Sequence, residues 1–350
     1  MELTVDDDQQ AALPHVARAA DWFGGMVALS ATNLGVELGL FDALRDFGPM
    51  RPEVLASTLG LQPRPVETWA KVLVQNGLLL PGDGGAVAMA PGLSWMVCEP
   101  RTLLNLGPSL AFHARYVARD FLELAQFFRD GVPISPARHG EALSRSVAEQ
   151  SAAMHVFFLE AALPALPSVE SALRGGASVL DAGCGEGNFG RELCSAYPGV
   201  RYTGVDLDGS AVQRGGEAIA GTPLESRMHL VAGDLADLGA DGVFDLAFFF
   251  LSLHEIPAGT RPAVMAAVFA GLKSGGQVIV FDESYPASVG EAASPEARMG
   301  LHFEYTEMLW GSRVTSREEA EGLVADAGFT YLQRIAPFQG GIDVLLARKP

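Results

Sequence analysis

The spacing of apolar residues changes character near residue 177. Before that point they recur mostly at helical intervals; after it, short apolar runs alternate with helical stretches. From about Val16 to Leu44, the segment WFGGMVALSATNLGVELGLFDAL keeps the 3.6-residue period and predicts two helices broken near Thr32 to Gly35. The segment MRPEVLASTLGLQPRPVETWAKVLVQNGLLLPGDGGAVAMAPG then reads as helix, turn, helix and a short hairpin around Gly82 to Gly85, the outline of a winged helix. From about Thr102 to Leu173 the pattern is helical and rich in aromatic residues. The loop GVPISPARHG, with Pro133 and Pro136, divides it.

From Ala177 onward, SVLDAG, YTGVDLD, MHLVAGD, FDLAFFF and GQVIVFDES read as strands. GRELCSAY, SAVQRGGEAIA and TRPAVMAAVFAGLK read as the helices between them. That alternation predicts an α/β fold with a doubly wound parallel sheet covered on both faces. The chain closes with a helix, EEAEGLVADAGF, and two strands, TYLQRIAPF and IDVLLARK, joined at Gly340-Gly341. They form an antiparallel hairpin at one edge that brings the sheet to seven strands. The expected division is 1–100 for the winged-helix-like part, 101–172 for a helical linker and pocket region, and 173–350 for the sheet domain.

Composition narrows the classes. With 49% hydrophobic and 19% charged residues over 350 positions, a buried core is favoured and disorder is not. A net charge of −18 argues against a nucleic-acid surface, and the presumed recognition helix, Arg64 to Gln75, offers only Arg64 and Lys71 beside Glu67. Cys98, Cys184 and Cys194 form no CxxC pair, which points to a reducing, cytoplasmic compartment. The start, MELTVDDDQQ, lacks the basic and apolar regions of a signal peptide. The longest apolar run, Ala263 to Ala270, is too short to span a bilayer, so the chain reads as soluble.

Candidate chemistry centres on LDAGCGEGNFG, Leu180 to Gly190. Gly185, Gly187 and Gly190 satisfy the dinucleotide pattern GxGxxG, yet Asp181 and Glu186 stand where a pyrophosphate would dock on backbone amides. Asp181, Asp206 and Asp234 end the first three strands, and Glu283 follows the fifth. These are the positions that face a ligand at the carboxyl rim of an open α/β sheet. Asp206, 19 residues beyond Gly187, is placed to accept ribose hydroxyls. Two acids in the glycine loop disfavour a phosphate ligand and favour the ammonium and sulfonium of S-adenosylmethionine.

Through LDAGCGEG, GVDLD and AGDLAD in that order, the sequence resembles the class I S-adenosylmethionine-dependent methyltransferases, and hence a Rossmann-like sheet. The resemblance implies that Asp181 and the backbones of Gly183, Gly185 and Gly187 hold the methionine end. Asp206 would bind the ribose, Leu207 would pack on the adenine and Asp234 would accept from its amine, with Leu235 and Phe250 alongside. It extends over nearly the whole chain to the small-molecule O-methyltransferases that join a winged-helix-like dimerisation domain to this fold. A homodimer, a small-molecule substrate and a role for the aromatic middle region in roofing an apolar pocket are implied.

In FFFLSLHEIP, His254 matches that family's LHDW-like motif as the catalytic base, with Glu255 in place of the usual acid. Many relatives carry a KERT-like segment whose glutamate orients the histidine. Here GSRVT puts Arg313 there, a candidate anchor for a substrate carboxylate. Met154, His302 and Tyr305 complete the expected substrate residues. Three alternatives stay open. His254, Glu255 and His302 could bind a metal for C-methylation of a 2-oxo acid, as in some relatives. The same cofactor could serve a non-methylating alkylation or cyclisation. The winged helix could belong to a ligand-responsive DNA-binding regulator, which the charge opposes.

Overall fold

The computed structural model describes residues 7–100, 102, 104–336 and 341–350. The first six residues, part of the polar start, and Gly340 of the expected closing turn lie outside them. Two compact units are present, Met1–Arg119 and Asp120–Pro350, so the helical stretch 101–172 is divided between them.

In the first unit, α1 (Asp7–Glu37) runs unbroken through Thr32 to Gly35, where the sequence predicted a break. The turn comes instead at Leu38-Gly39, with Gly39 at φ 69° ahead of α2 (Leu40–Phe47). Polar groups near the expected break are satisfied in place. Thr32 Oγ1 donates to the Ala28 carbonyl (2.8 Å), and Trp69 Nε1 donates to the Ala31 carbonyl (2.8 Å). Proline opens α3 (Pro52–Leu59) and α4 (Pro63–Gln75), where its missing N–H costs the helix nothing. Strands β1 (Leu79–Pro81) and β2 (Val87–Met89) form the expected antiparallel hairpin around a tight turn at Asp83–Gly85. Short helices α5 (Leu93–Val97) and α6 (Gly107–Phe112) follow. Phe41, Leu55, Trp69, Leu73 and Leu79 build this unit's core, and Lys71 on α4 pairs with Glu67 (2.6 Å).

After the single turn α7 (Ala118–Asp120), helices α8 (Leu124–Asp130), α9 (Glu141–Phe157) and α10 (Pro167–Arg174) lead to the sheet. The alternation then runs β3 (Ser178–Ala182), α11 (Asn188–Ala196), β4 (Arg201–Asp206), α12 (Gly209–Ile219), β5 (Met228–Ala232) and β6 (Phe244–Phe250). It continues with α13 (Arg261–Gly271), β7 (Leu272–Glu283), α14 (Ala297–Trp310), α15 (Arg317–Asp326), β8 (Thr330–Ile335) and β9 (Ile342–Arg348). The seven strands lie in the order β5-β4-β3-β6-β7-β9-β8. The first five are parallel, while β9 is antiparallel to both β7 and β8. Strand order reverses between β3 and β6, which opens a crevice at their carboxyl ends. Among the described residues, no single helix is long and apolar enough to cross a membrane.

Successive residues of β6 serve opposite faces of the sheet. Phe249 packs into a core with Val264, Met265 and Val268 of α13. Phe248 and Phe250 face the other way, where fully buried Phe158 lies 5.5–5.8 Å from the rings of Phe189, Phe248, Phe250 and Phe281. Each buried ring of this kind contributes roughly 1.5–3 kcal/mol.

Gly190 sets how closely α11 lies on β4, because a Cβ there would come 2.3 Å from the Tyr202 ring. Gly190→Ala is expected to lower stability by about 1–3 kcal/mol through overpacking. Gly216→Ala in α12, where a Cβ would meet nothing within 4 Å, is expected to raise it by about 0.5–1 kcal/mol. Urea unfolding of the two variants checks both signs.

Candidate active site

The glycine loop leaves β3 through Gly183, at φ 83°, where a Cβ would come 2.6 Å from that of Ser252. Both the left-handed backbone and the close approach require glycine. Gly183 N–H donates to the Val205 carbonyl (2.9 Å), and Ser252 Oγ donates to the Ala182 carbonyl (2.6 Å), so the ends of β3, β4 and β6 are joined. Asp206, the last residue of β4, accepts the Gly185 N–H on Oδ2 (2.7 Å) and the Asp208 N–H on Oδ1 (2.8 Å). Each oxygen keeps a further lone pair for a ligand hydroxyl. Gly187 caps the start of α11. Leu207 is 74% exposed at the rim. Asp234, also exposed, caps the turn Leu235–Asp237 through the Ala236 N–H (2.8 Å), while Leu235 turns into the core.

Asp181 is buried, and its Oδ2 accepts the Tyr202 hydroxyl. Its Oδ1 has no partner among the described residues. Burial raises its pKa to about 7 against the opposing pull of the Tyr202 bond. Glu186 requires a correction. Arg214 Nε donates to it at 2.7 Å, and the same guanidinium reaches Ser144 Oγ on α9 (2.9 Å). Glu186 is therefore neutralised, which leaves Asp181, buried and with one oxygen unpartnered among the described residues, as the loop acid open to a ligand donor.

At the end of β6, Leu251 takes φ 52°, the one positive φ outside glycine among the described residues. A left-handed residue with a side chain costs roughly 1–2 kcal/mol, and its N–H bond to the Phe281 carbonyl (2.8 Å) helps hold it. This turn delivers His254. Its backbone N–H donates to Asp282 Oδ2 (3.0 Å), and its Nδ1 lies 2.6 Å from Asp282 Oδ1. A carboxylate partner assigns the proton to Nδ1, so Nε2 is the free acceptor, and no partner for it occurs among the described residues.

Asp282, next to last in β7, is therefore the acid that orients His254. The sequence offered no orienting acid, since Arg313 stands where relatives carry the orienting glutamate, and it marked Glu283 at the strand end. The signal available was the adjacent pair of acids closing β7. Glu255 is exposed, and desolvation by the surrounding protein raises its pKa to about 7. Burial also pushes Glu283 well above the carboxylate range and raises Glu307 of α14. Glu283 Oε2 has no partner among the described residues. For His254, burial favours the neutral ring, but the charge and hydrogen bond of Asp282 outweigh it and hold its pKa well above the ordinary value.

Other expected residues are placed differently. Arg313 pairs with Glu319, which also accepts the Ser316 N–H (3.0 Å) in the capping box of α15. The arginine is thus engaged locally and is not a free carboxylate anchor. His302 is exposed on α14, and no three His, Cys, Asp or Glu side chains converge as metal ligands among the described residues. His254, Glu255 and His302 are not assembled into such a centre. Phe250 is stacked on both faces, by Phe189 (4.3 Å) and Phe281 (4.6 Å), which makes it part of the aromatic wall and leaves neither face for a cofactor ring. Tyr305 packs edge-on against Phe121 (5.6 Å), and Met154 is half-buried on α9. Beside it, buried His155 lies 5.1 Å from the Phe250 ring, and burial drops its pKa to about 3. Nothing in the sequence around His155 marked it.

Residues 179–276 match the family model described as a methyltransferase domain. A 3-hydroxy-5-methyl-1-naphthoate 3-O-methyltransferase from Streptomyces sahachiroi is 26% identical over 334 residues, 92% of each chain. An uncharacterized methyltransferase from Synechocystis is 30% identical over 183 residues, 52% of this chain and 81% of that protein. The solved structure of human N-acetylserotonin methyltransferase in complex with S-adenosylmethionine superposes with a TM-score of 0.70 at 20% identity, covering 100% of this chain and 99% of that one. The glycine loop and the acid-tipped strands thus have one common explanation: the chain belongs to the class I S-adenosylmethionine-dependent methyltransferases.

Proposed function

We propose that the chain methylates a hydroxyl of a small, largely apolar metabolite, with His254 as general base and Asp282 as its orienting acid. The observation that carries this reading is the His254–Asp282 pair at the strand-end rim that also bears the glycine loop. S-adenosylmethionine supplies a methyl group on a sulfonium, activated toward in-line displacement. The unpartnered, buried Oδ1 of Asp181 suits an ammonium donor, whereas a pyrophosphate brings only acceptors. Asp206 has lone pairs left for ribose hydroxyls, with Leu207 and Asp234 at the same rim for the adenine. Nε2 of His254 is the atom available to take the acceptor's proton.

Acceptor chemistry follows from the neighbouring acids. Burial holds Glu255, Glu283 and Glu307 toward their protonated forms, which can donate to an oxygen of a neutral acceptor near His254. A homodimer through α1 is part of the same reading. Leu13, Val16, Trp22, Phe23, Met26 and Val27 are exposed there, an apolar surface suited to a second copy of the chain. Three free cysteines fit a reducing cytoplasm.

His254→Ala is expected to lower formation of S-adenosylhomocysteine by about 100-fold or more while leaving cofactor affinity nearly unchanged. Because a base must be neutral, the rate should rise with pH through the elevated His254 pKa. Asp282→Asn removes a charge that holds the proton and should move that limb to lower pH while reducing kcat. Full turnover in His254→Ala would end the base assignment. Asp206→Ala should weaken S-adenosylmethionine binding by about tenfold or more in calorimetry, from the loss of charge-assisted hydrogen bonds. Trp22→Glu with Phe23→Glu should turn a dimer into a monomer by light scattering, and a wild-type monomer would refute that part.

A further inference from the structure

We propose that Arg261 is a positioning residue for methyl transfer, fixing His254 from the side opposite Asp282; this rests on the reading of His254 as the base. Arg261 is the first residue of α13 and only 3% exposed, yet it forms no ion pair among the described residues. A cation at a helix N-terminus is opposed by the helix dipole, and burial without a carboxylate adds a desolvation cost. The position is therefore unfavourable for helix stability alone, and what the guanidinium touches must account for it.

It touches three carbonyls. Nε donates to Ile256 (2.8 Å), and Nη2 donates to His254 (3.0 Å) and to Arg313. The His254 carbonyl also accepts the Arg313 N–H (3.1 Å). Asp282 holds the backbone N–H and Nδ1 of His254, while Arg261 holds its carbonyl. Both ends of the residue are thereby fixed, and with them the direction of Nε2. The planar fork spans carbonyls from two chain segments, which a lysine ammonium on its flexible stem cannot reproduce. The charge of Asp282 is the largest influence favouring the charged guanidinium against burial, so the two residues flanking His254 also sense each other.

Arg261→Lys and Arg261→Gln separate geometry from charge. Both should lower kcat by about 10–100-fold, the cost of misplacing a reacting group by about 1 Å, while S-adenosylmethionine affinity stays within about twofold. Loss of a cation beside Asp282 lets the His254 imidazolium persist to higher pH. The acidic limb of kcat/KM should therefore move upward in Arg261→Gln and stay in place in Arg261→Lys. Unchanged kcat in both variants would overturn the inference, as would activity loss that merely tracks cofactor affinity and melting temperature with neither limb moved. If Arg261→Gln fails to fold, the kcat and cofactor-affinity measurements on Arg261→Lys decide. His254→Ala run in parallel distinguishes the failures. Turnover there removes the base reading itself, whereas an inactive His254→Ala beside unaffected Arg261 variants removes only the inference about Arg261.

Discussion

The parallel pairing of β3 with β6 is the constraint on which the site depends. Right-handed crossovers carry the chain outward to β4 and β5 on one side of β3 and to β7 on the other side of β6, so no connection covers the point between them. Asp181, Asp206, His254 and Asp282 all stand at or just beyond carboxyl ends of these strands, and the register delivers them to one rim. The aromatic wall supports the arrangement from one face. Phe158 packs against Phe189, Phe248, Phe250 and Phe281, stiffening the ends of β6 and β7 from which His254 and Asp282 project.

Electrostatics at that rim turn on how the few cations are used. Arg214 neutralises Glu186 in the glycine loop, Arg317 and Arg334 converge on Asp343, and Arg261 is committed to backbone carbonyls. Asp343 lies directly opposite Asp282 in the β7–β9 register, so its two arginines offset a like charge behind the orienting acid. What remains in the cleft is an imidazole facing carboxylates, whose burial disfavours ionisation and so moderates their mutual repulsion.

Several features at this rim are unfavourable when taken singly. Leu251 is left-handed, Asp181 and Glu283 each hide an oxygen unpartnered among the described residues, and Arg261 sits buried at the positive end of a helix. Local rules are broken at the site and kept elsewhere, in the proline-started helices and the buried parallel strands. This is the pattern expected where a packed core over-determines a reactive geometry.

The strand and helix periods, the glycine loop and the acids Asp181 and Asp206 were legible because they depend on consecutive residues: an apolar run, a tight turn, the residue that ends a strand. Thr32 to Gly35 misled because the partner that satisfies the neighbouring Ala31 carbonyl, Trp69, is distant in sequence. Glu186 read as a free acid because Arg214 reaches it from the next helix, and Arg313 read as an anchor until α15 brought Glu319 beside it. Sequence alone therefore determined the class of fold and the cofactor. Tertiary structure decided that Asp282 is the acid bonded to His254, because that pairing depends on the β6–β7 register and on the turn at Leu251, contacts that no local pattern encodes.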